Sequence, residues 1–315
     1  MGSGVRERVT PATRRPYTAG HFELSIDGHK STAYLKSVDT GDMEAQEVTE
    51  AIGAENKRIK HISVVEVPPI SVEFGISGAN QILKWIQASI DKQWGRRNGQ
   101  ITHADFDLRT QYEYSFNNAL ITEVTFPTLD GAAREPAYVK LKFQPESSTA
   151  IKKPGPQIVP SMGQKQKTWV PSAFRLRIDG IDEMAYCNKL ESFTIKQGVK
   201  KLFTGMTRYP EIEPTKIEFP GLSGTIALEY ADKLFDWYQE YVKKGTSEQK
   251  AQKTGAIEFL DPTRSKVIFA INLMEVGITN VAVVASTANQ DQIKRAKFKL
   301  YVGEMKLDGP GLGLE

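Results

Sequence analysis

One phrase opens twice in this chain. FELSIDG occupies residues 22–28 and FRLRIDG residues 174–180, identical at five of seven positions. Phe22 and Phe174 lie 152 residues apart, and the same offset carries Trp85 onto Trp237 and Gln87 onto Gln239. Around those tryptophans, QILKWIQASI (81–90) faces KLFDWYQEYV (233–242). Farther on, ADFDL (104–108) matches IEFLD (257–261) at an offset of 153. FNNALITEV (116–124) then faces AINLMEVGI (270–278) at 154, which sets Asn118 over Asn272. Each half closes on an alternating segment, AYVKLKF (137–143) and AKFKLYV (296–302). Self-similarity on this scale constrains the fold before composition does: the chain is a tandem duplication of one domain-sized unit.

Each unit reads alike. A period-2 strand sets Phe22, Leu24 and Ile26 on one face and Glu23, Ser25 and Asp27 on the other. Asp-Gly then closes a tight turn. A long polar excursion follows, and a strand leads into GISG (75–78) or GLSG (221–224), read as Gly-Ser turns, with Ser77 and Ser223 as helix N-terminal signals. One amphipathic helix carries Ile82, Leu83, Ile86 and Ile90 in the first half, and Leu234, Phe235, Tyr238, Tyr241 and Val242 in the second. Strands rich in Val, Ile, Phe, Tyr and Thr complete each half. The fold class is mainly β (α+β): two tandem antiparallel β-barrel or sandwich domains, each with one packed helix.

The expected boundaries are a flexible arm at 1–19, domain 1 at 20–145, a linker at 146–171, domain 2 at 172–308 and a flexible tail at 309–315. Residues 144–171 hold five of the 16 prolines, which deny a ladder its N–H and favour an extended spacer. Trp169 is expected to pin that spacer to the second domain, since so large an aromatic seeks burial. The arm has Arg6, Arg8, Arg14 and Arg15 but no apolar stretch, so it does not read as a secretory signal. MGSG has Arg6 where a myristoylation start needs Ser or Thr.

Composition removes whole classes of function. Cys187 is the only cysteine, so no intramolecular disulfide exists. No apolar run approaches the roughly 20 residues that span a bilayer. A net charge of +3 is far below a dedicated nucleic-acid binder's.

Candidate chemistry is sparse as well. His21, His29, His61 and His103 form no i, i+4 metal pair. Asp105 and Asp107 share a face of an expected strand, where the second half has Glu258 and Leu260; an exposed strand face accounts for them. Cys187 reads as a structural thiol. GISG and GLSG lack the Lys-Ser/Thr of a phosphate loop. The spacing of Trp85 and Trp237 makes them core residues, and Lys152, Lys153, Lys165 and Lys167 belong to a solvated linker rather than a DNA contact. No catalytic, cofactor or metal residue is nominated, and no enzyme is expected.

The order of these parts resembles the tail tube family of contractile phages, with its relatives in contractile injection systems and type VI secretion. A strand ending in IDG, a long loop, a strand, a Gly-Ser turn, a helix with a central Trp and an Asn118–Ala119 corner carry the resemblance over about residues 20–145 and 172–308. The second half departs at the corner, where Leu273 follows Asn272. The resemblance implies rings of six domains around a lumen, with the long loop touching an adjacent subunit or ring. Two domains per chain imply three chains per ring, although a hexamer of chains stays open.

Alternate ring positions would then differ, which favours a hub, adaptor or terminal ring; a bulk tube of two-domain subunits is the alternative. Implied partners are the protein itself, other tube, baseplate, spike or sheath proteins, and DNA or protein cargo in the lumen, with no membrane. Assembly would be cytoplasmic, followed by residence in a virion or injection particle. The competing class is a β-barrel binding module for a small ligand or nucleic acid. Free sheet edges and long polar excursions both point to neighbouring subunits. Asp42, Glu44, Glu47, Glu50, Glu55 and Lys57 are therefore the expected contacts in the first half, and Lys200, Lys201, Phe203, Arg208 and Tyr209 in the second. Their opposite charge suggests that unlike halves meet.

Overall fold

A computed structural model describes residues 20–309 apart from 31, 32, 34, 42, 53–56, 77, 153, 159–168, 206–208, 246–250 and 286–292. The first half runs β1 (His21–Ile26), β2 (Leu35–Asp39), β3 (Glu44–Ile52), β4 (Lys57–Glu66), β5 (Ile70–Phe74), α1 (Asn80–Ile90), β6 (Arg97–Ala104), β7 (Thr110–Phe126), β8 (Leu129–Asp130), β9 (Val139–Gln144) and β10 (Ser147–Ile151). The second runs β11 (Phe174–Ile178), β12 (Cys187–Leu190), β13 (Phe193–Leu202), β14 (Glu211–Glu218), β15 (Leu222–Ala227), α2 (Asp232–Tyr238), β16 (Lys253–Leu260), β17 (Val267–Val283) and β18 (Arg295–Asp308).

Both sheets share one strand order. The first reads β1-β6-β7-β9-β5-β2 and the second β11-β16-β17-β18-β15-β12, all antiparallel. Register agrees down to the irregularities. β2 bulges after Leu35 against β5, and β12 bulges after Cys187 against β15, an offset of 152. β3 bulges after Ala45 and β13 after Gln197, again 152 apart. A bulge leaves one residue unpaired and re-aims the strand. Repeating it at one offset makes the excursion of each half the same hairpin.

Beyond the helices the expected register fails. Gly99 pairs with Phe116 and Gly255 with Leu273, so β6 lies 156 residues from β16 and β7 lies 157 from β17, not 153 and 154. The two glycines are the shared feature. A Cβ on Gly99 would strike the Ser25 carbonyl, and one on Gly255 the Arg177 carbonyl 152 residues later. Asn118 corresponds to Glu275, not Asn272: both sit in the left-handed region, at φ 52° and 55°. Asp105 and Asp107 lie in the turn after β6 rather than on a strand. Asp105 accepts from the Arg109 N–H there, and Asp261 does the same for Ser265 and Lys266.

Leu222, Ser223 and Gly224 of GLSG lie in β15, while GISG corresponds in register to residues 227–230. Ser77 lies outside the described residues, and α1 starts at Asn80, with Ala79 at the N-cap and no side-chain cap. α2 is shorter and runs on into one π turn.

The Asp-Gly turns explain the repeated phrase. Asp27 and Gly28 both have positive φ, the geometry of a two-residue hairpin turn. The Asp27 carboxylate takes hydrogen bonds from Arg97 and the Asn98 N–H. Asp179 repeats the arrangement: its carboxylate accepts from Thr254 and its carbonyl from Lys253. Each signature locks the first strand of a half to the strand after its helix.

Residues read as linker reach back into the fold. β10 pairs with β7, Gln157 bridges Arg109, and Ile158 is buried. β9 and β10 together equal the single strand β18, because Pro145 interrupts the ladder. Lys152 is exposed, whereas Lys153, Lys165 and Lys167 lie outside the described residues. Trp169 is buried 5.4 Å from the Phe259 ring, in the second half.

One hydrophobic core joins the halves. The Phe126 ring, from the first, lies 5.0 Å from Phe193, 5.8 Å from Phe259 and 6.3 Å from Phe269. α1 buries Ile82, Leu83, Trp85, Ile86 and Ile90, and its far side reaches the second half. Gln87 Nε2 donates to the Leu307 carbonyl, and Ser89 Oγ to Gln197 Oε1 at 2.5 Å.

Candidate assembly interface

Where the halves meet, a strand of one completes the sheet of the other. β7 is 17 residues long, more than β6 needs, so its end is left as an edge. β13 fills that edge: Phe193 pairs with Phe126, Thr194 with Thr125, Ile195 with Val124 and Lys196 with Glu123. Val124, Phe126, Phe193 and Ile195 are buried. On the outer face the Thr125 and Thr194 hydroxyls bond at 2.9 Å. Glu123 stands between Lys196 and Lys142, whose ammonium is 4.0 Å away. Arg96 donates to the Ile212 carbonyl at 2.7 Å, and Glu146 accepts the Ile212 N–H, clamping β14 to the first half.

The nominated contact residues fall on the two hairpins. Glu44, Glu47 and Glu50 lie exposed on β3, and Lys57 opens β4. Asp42, Glu55 and Arg208 are outside the described residues. Lys200 and Lys201 lie on β13, with Phe203 beyond its end and Tyr209 before β14. Lys60 pairs with Glu47 at 2.6 Å, whereas Lys201 reaches Glu66 across the halves at 3.6 Å.

The fates of the hairpins differ. β13–β14 is docked on β7, while β3–β4 pairs only with itself among the described residues. Met43, Ile59 and Ile62 are exposed on or beside it. Sequence reasoning missed Glu123, Phe126 and Phe193, the residues that make the junction. The unusual length of TQYEYSFNNALITEVTF was the available signal.

Groups with chemical potential are committed to structure. The Cys187 thiol is buried, donates to the Lys189 and Thr225 carbonyls, and is pushed up to about 12 by burial. Burial lowers the His103 pKa, and its ring packs edge-on against Phe22 and Tyr112. Glu258 is buried between Arg175 and Arg177, at 2.6 and 3.0 Å. Among the described residues no cluster of His, Cys, Asp or Glu is arranged to hold a metal, and no helix is long and apolar enough to cross a membrane.

Residues 18–149 match the family model of the T4-like virus tail tube protein gp19. No curated protein matches the chain. Among the solved structures similar to the chain are three with a TM-score of 0.40 each. The sheath–tube complex of the PVC extracellular contractile injection system is 16% identical, covering 45% of this chain and 95% of that one. The tube-terminating cap of the anti-feeding prophage is 18% identical, covering 45% and 95%. The PVC sheath/tube terminator is 17% identical, covering 44% and 99%. Over residues 18–149, then, the chain is similar to the T4-like virus gp19 tail tube family, whose members are structural proteins.

Proposed function

We propose that this protein is a structural component of a phage-like contractile tail or injection system, in which three two-domain chains close a six-domain ring around a lumen. One observation carries the reading. A chain whose residues 18–149 match the tail tube family model repeats the strand order and bulges of that half in its second half. The halves differ on their surfaces, since Glu44, Glu47 and Glu50 face outward on one hairpin and Lys196 and Lys200 on the other. Alternate positions of the ring would therefore offer different surfaces to the next ring, which suits a hub, adaptor or terminal ring.

A bulk tube is the second reading, favoured by the identical hairpin register of both halves. Other tube, baseplate, spike or sheath proteins would be the partners and DNA or protein the cargo. Assembly would take place in the cytoplasm before incorporation into a particle.

Solution mass with electron microscopy of the same sample tests this. A six-lobed ring of about 105 kDa, three chains of 35.1 kDa, is the expected outcome. Stacks growing into tubes favour the bulk subunit. A monomer at every concentration, alone and with tube partners, overturns the ring.

A further inference from the structure

The docked hairpin and the undocked one are the same element, and the two edges available to them are also the same. β7 and β17 align at an offset of 157 on both sides of a shared bulge, after Ile121 and after Ile278. The edge Glu123, Val124, Thr125 and Phe126, which β13 covers, thus corresponds to Asn280, Val281, Ala282 and Val283. Those four residues pair with β18 on one side and with no described strand on the other. Val283 is 52% exposed, whereas its counterpart Phe126 is fully buried. The hairpin counterpart is uncovered by any described strand as well: Met43, at the place of buried Ile195, is 43% exposed and touches its own chain through its sulfur, which accepts from Ser148 Oγ. An uncovered sheet edge carrying apolar residues is a template for an added strand.

We propose, resting on the ring reading above, that the segment entering β3 adds antiparallel to the edge of β17 in a second copy of this chain. The within-chain junction fixes the register: Met43 opposite Val281, and Glu44 opposite Asn280. Charge agrees with the choice of occupant. In the covered junction Glu123 lies between Lys196 and Lys142. In the open one Asn280 pairs with exposed Lys299, so Glu44 would face a lysine across a neutral residue, about 10 Å away on the strand spacing. A second β13 would bring Lys196 there and meet only lysine. The interface is heterologous, so it must close into a ring or grow open-ended.

Paired cysteines in the full chain test the register. Opposed residues in an antiparallel pair have Cα atoms about 4.5–5.5 Å apart, within disulfide reach. A chain carrying Met43→Cys and Val281→Cys, mildly oxidised, is expected to give covalent species ending at three chains, while either substitution alone gives none beyond a dimer. Rings of normal mass with no crosslink overturn the register and leave the ring reading standing. A mass that stays monomeric, with no crosslink, overturns both.

Glu44→Lys supplies a test independent of folding at Val281. At low ionic strength it is expected to weaken association about two- to fourfold, with recovery when Lys299→Glu is added. Weakening without recovery counts against the facing pair.

Discussion

The ends of β7 and β17 are one structure in two conditions. Residues 123–126 are covered by β13 and carry Phe126 into the shared core; residues 280–283 hold the same register against β18 and lie open. The duplication is therefore not two domains side by side. It is one inter-domain junction already made within the chain and one still to be made. Residue choice follows this division. At the inner junction the apolar pair Phe126 and Phe193 stacks at 5.0 Å, as in a permanent core. At the outer edge Val283 and Gly41 stand in place of that pair, with flexible Met43 in place of Ile195, which suits a contact that must survive exposure before it forms.

The comparison can be broken most sharply at that aromatic. Phe126→Ala should cost about 3–5 kcal/mol, because a fully buried ring leaves a cavity between the halves. Val283→Ala should change the stability of the single chain by less than about 0.5 kcal/mol. Equal denaturation midpoints for the two variants would mean that the edges are not in different conditions.

A middle-sized effect is expected at Glu258, whose carboxylate is buried against two arginines; its register counterpart is Thr102. Glu258→Gln should lose about 1–3 kcal/mol in urea, as half-exposed Arg175 and Arg177 keep part of their hydration. Thr102→Val, at the counterpart, should move the midpoint far less.

The smallest effect is a pH dependence confined to the first half. His103 has a pKa lowered by burial, and its counterpart is Phe259. A group whose folded pKa is depressed stabilises the fold fully above its ordinary value, about 6.5 for histidine, and that contribution is lost as the pH falls toward the folded value. Stability should therefore decline below about pH 6.5, and His103→Phe should flatten that part of the profile. An unchanged profile in the variant would assign the decline to other groups.

Much of the architecture was legible, for physical reasons. The offset of 152 holds through β1, the hairpin, β5 and the helix because bulges, turn residues and the buried tryptophan cannot shift without turning side chains to the wrong face. It failed where the second half lengthens between α2 and β16 and again in the turn before β17. Alternating segments hid part of that error. AYVKLKF and AKFKLYV match equally well when slipped by two residues, since a period of two restores the same faces. GISG and GLSG look alike as words but sit at different places in the fold.

At the interface, the acidic and basic excursions were visible as charge, but not as hairpins that extend a sheet. The open edge of β17 was illegible. GITNVAV alternates as any strand does, and nothing in it says whether a neighbour pairs along its other side.

Hydrogen exchange on the two strand ends distinguishes an edge covered within the chain from one covered only on assembly. It should be followed at a concentration where the mass is that of a single chain and at one where it is that of the ring. Amides at 123–126 should be protected in both states, because β13 covers them within the chain. Amides at 280–283 should exchange freely in the single chain and become protected on assembly. Assembly that leaves 280–283 as exposed as before would contradict the equivalence of the two edges.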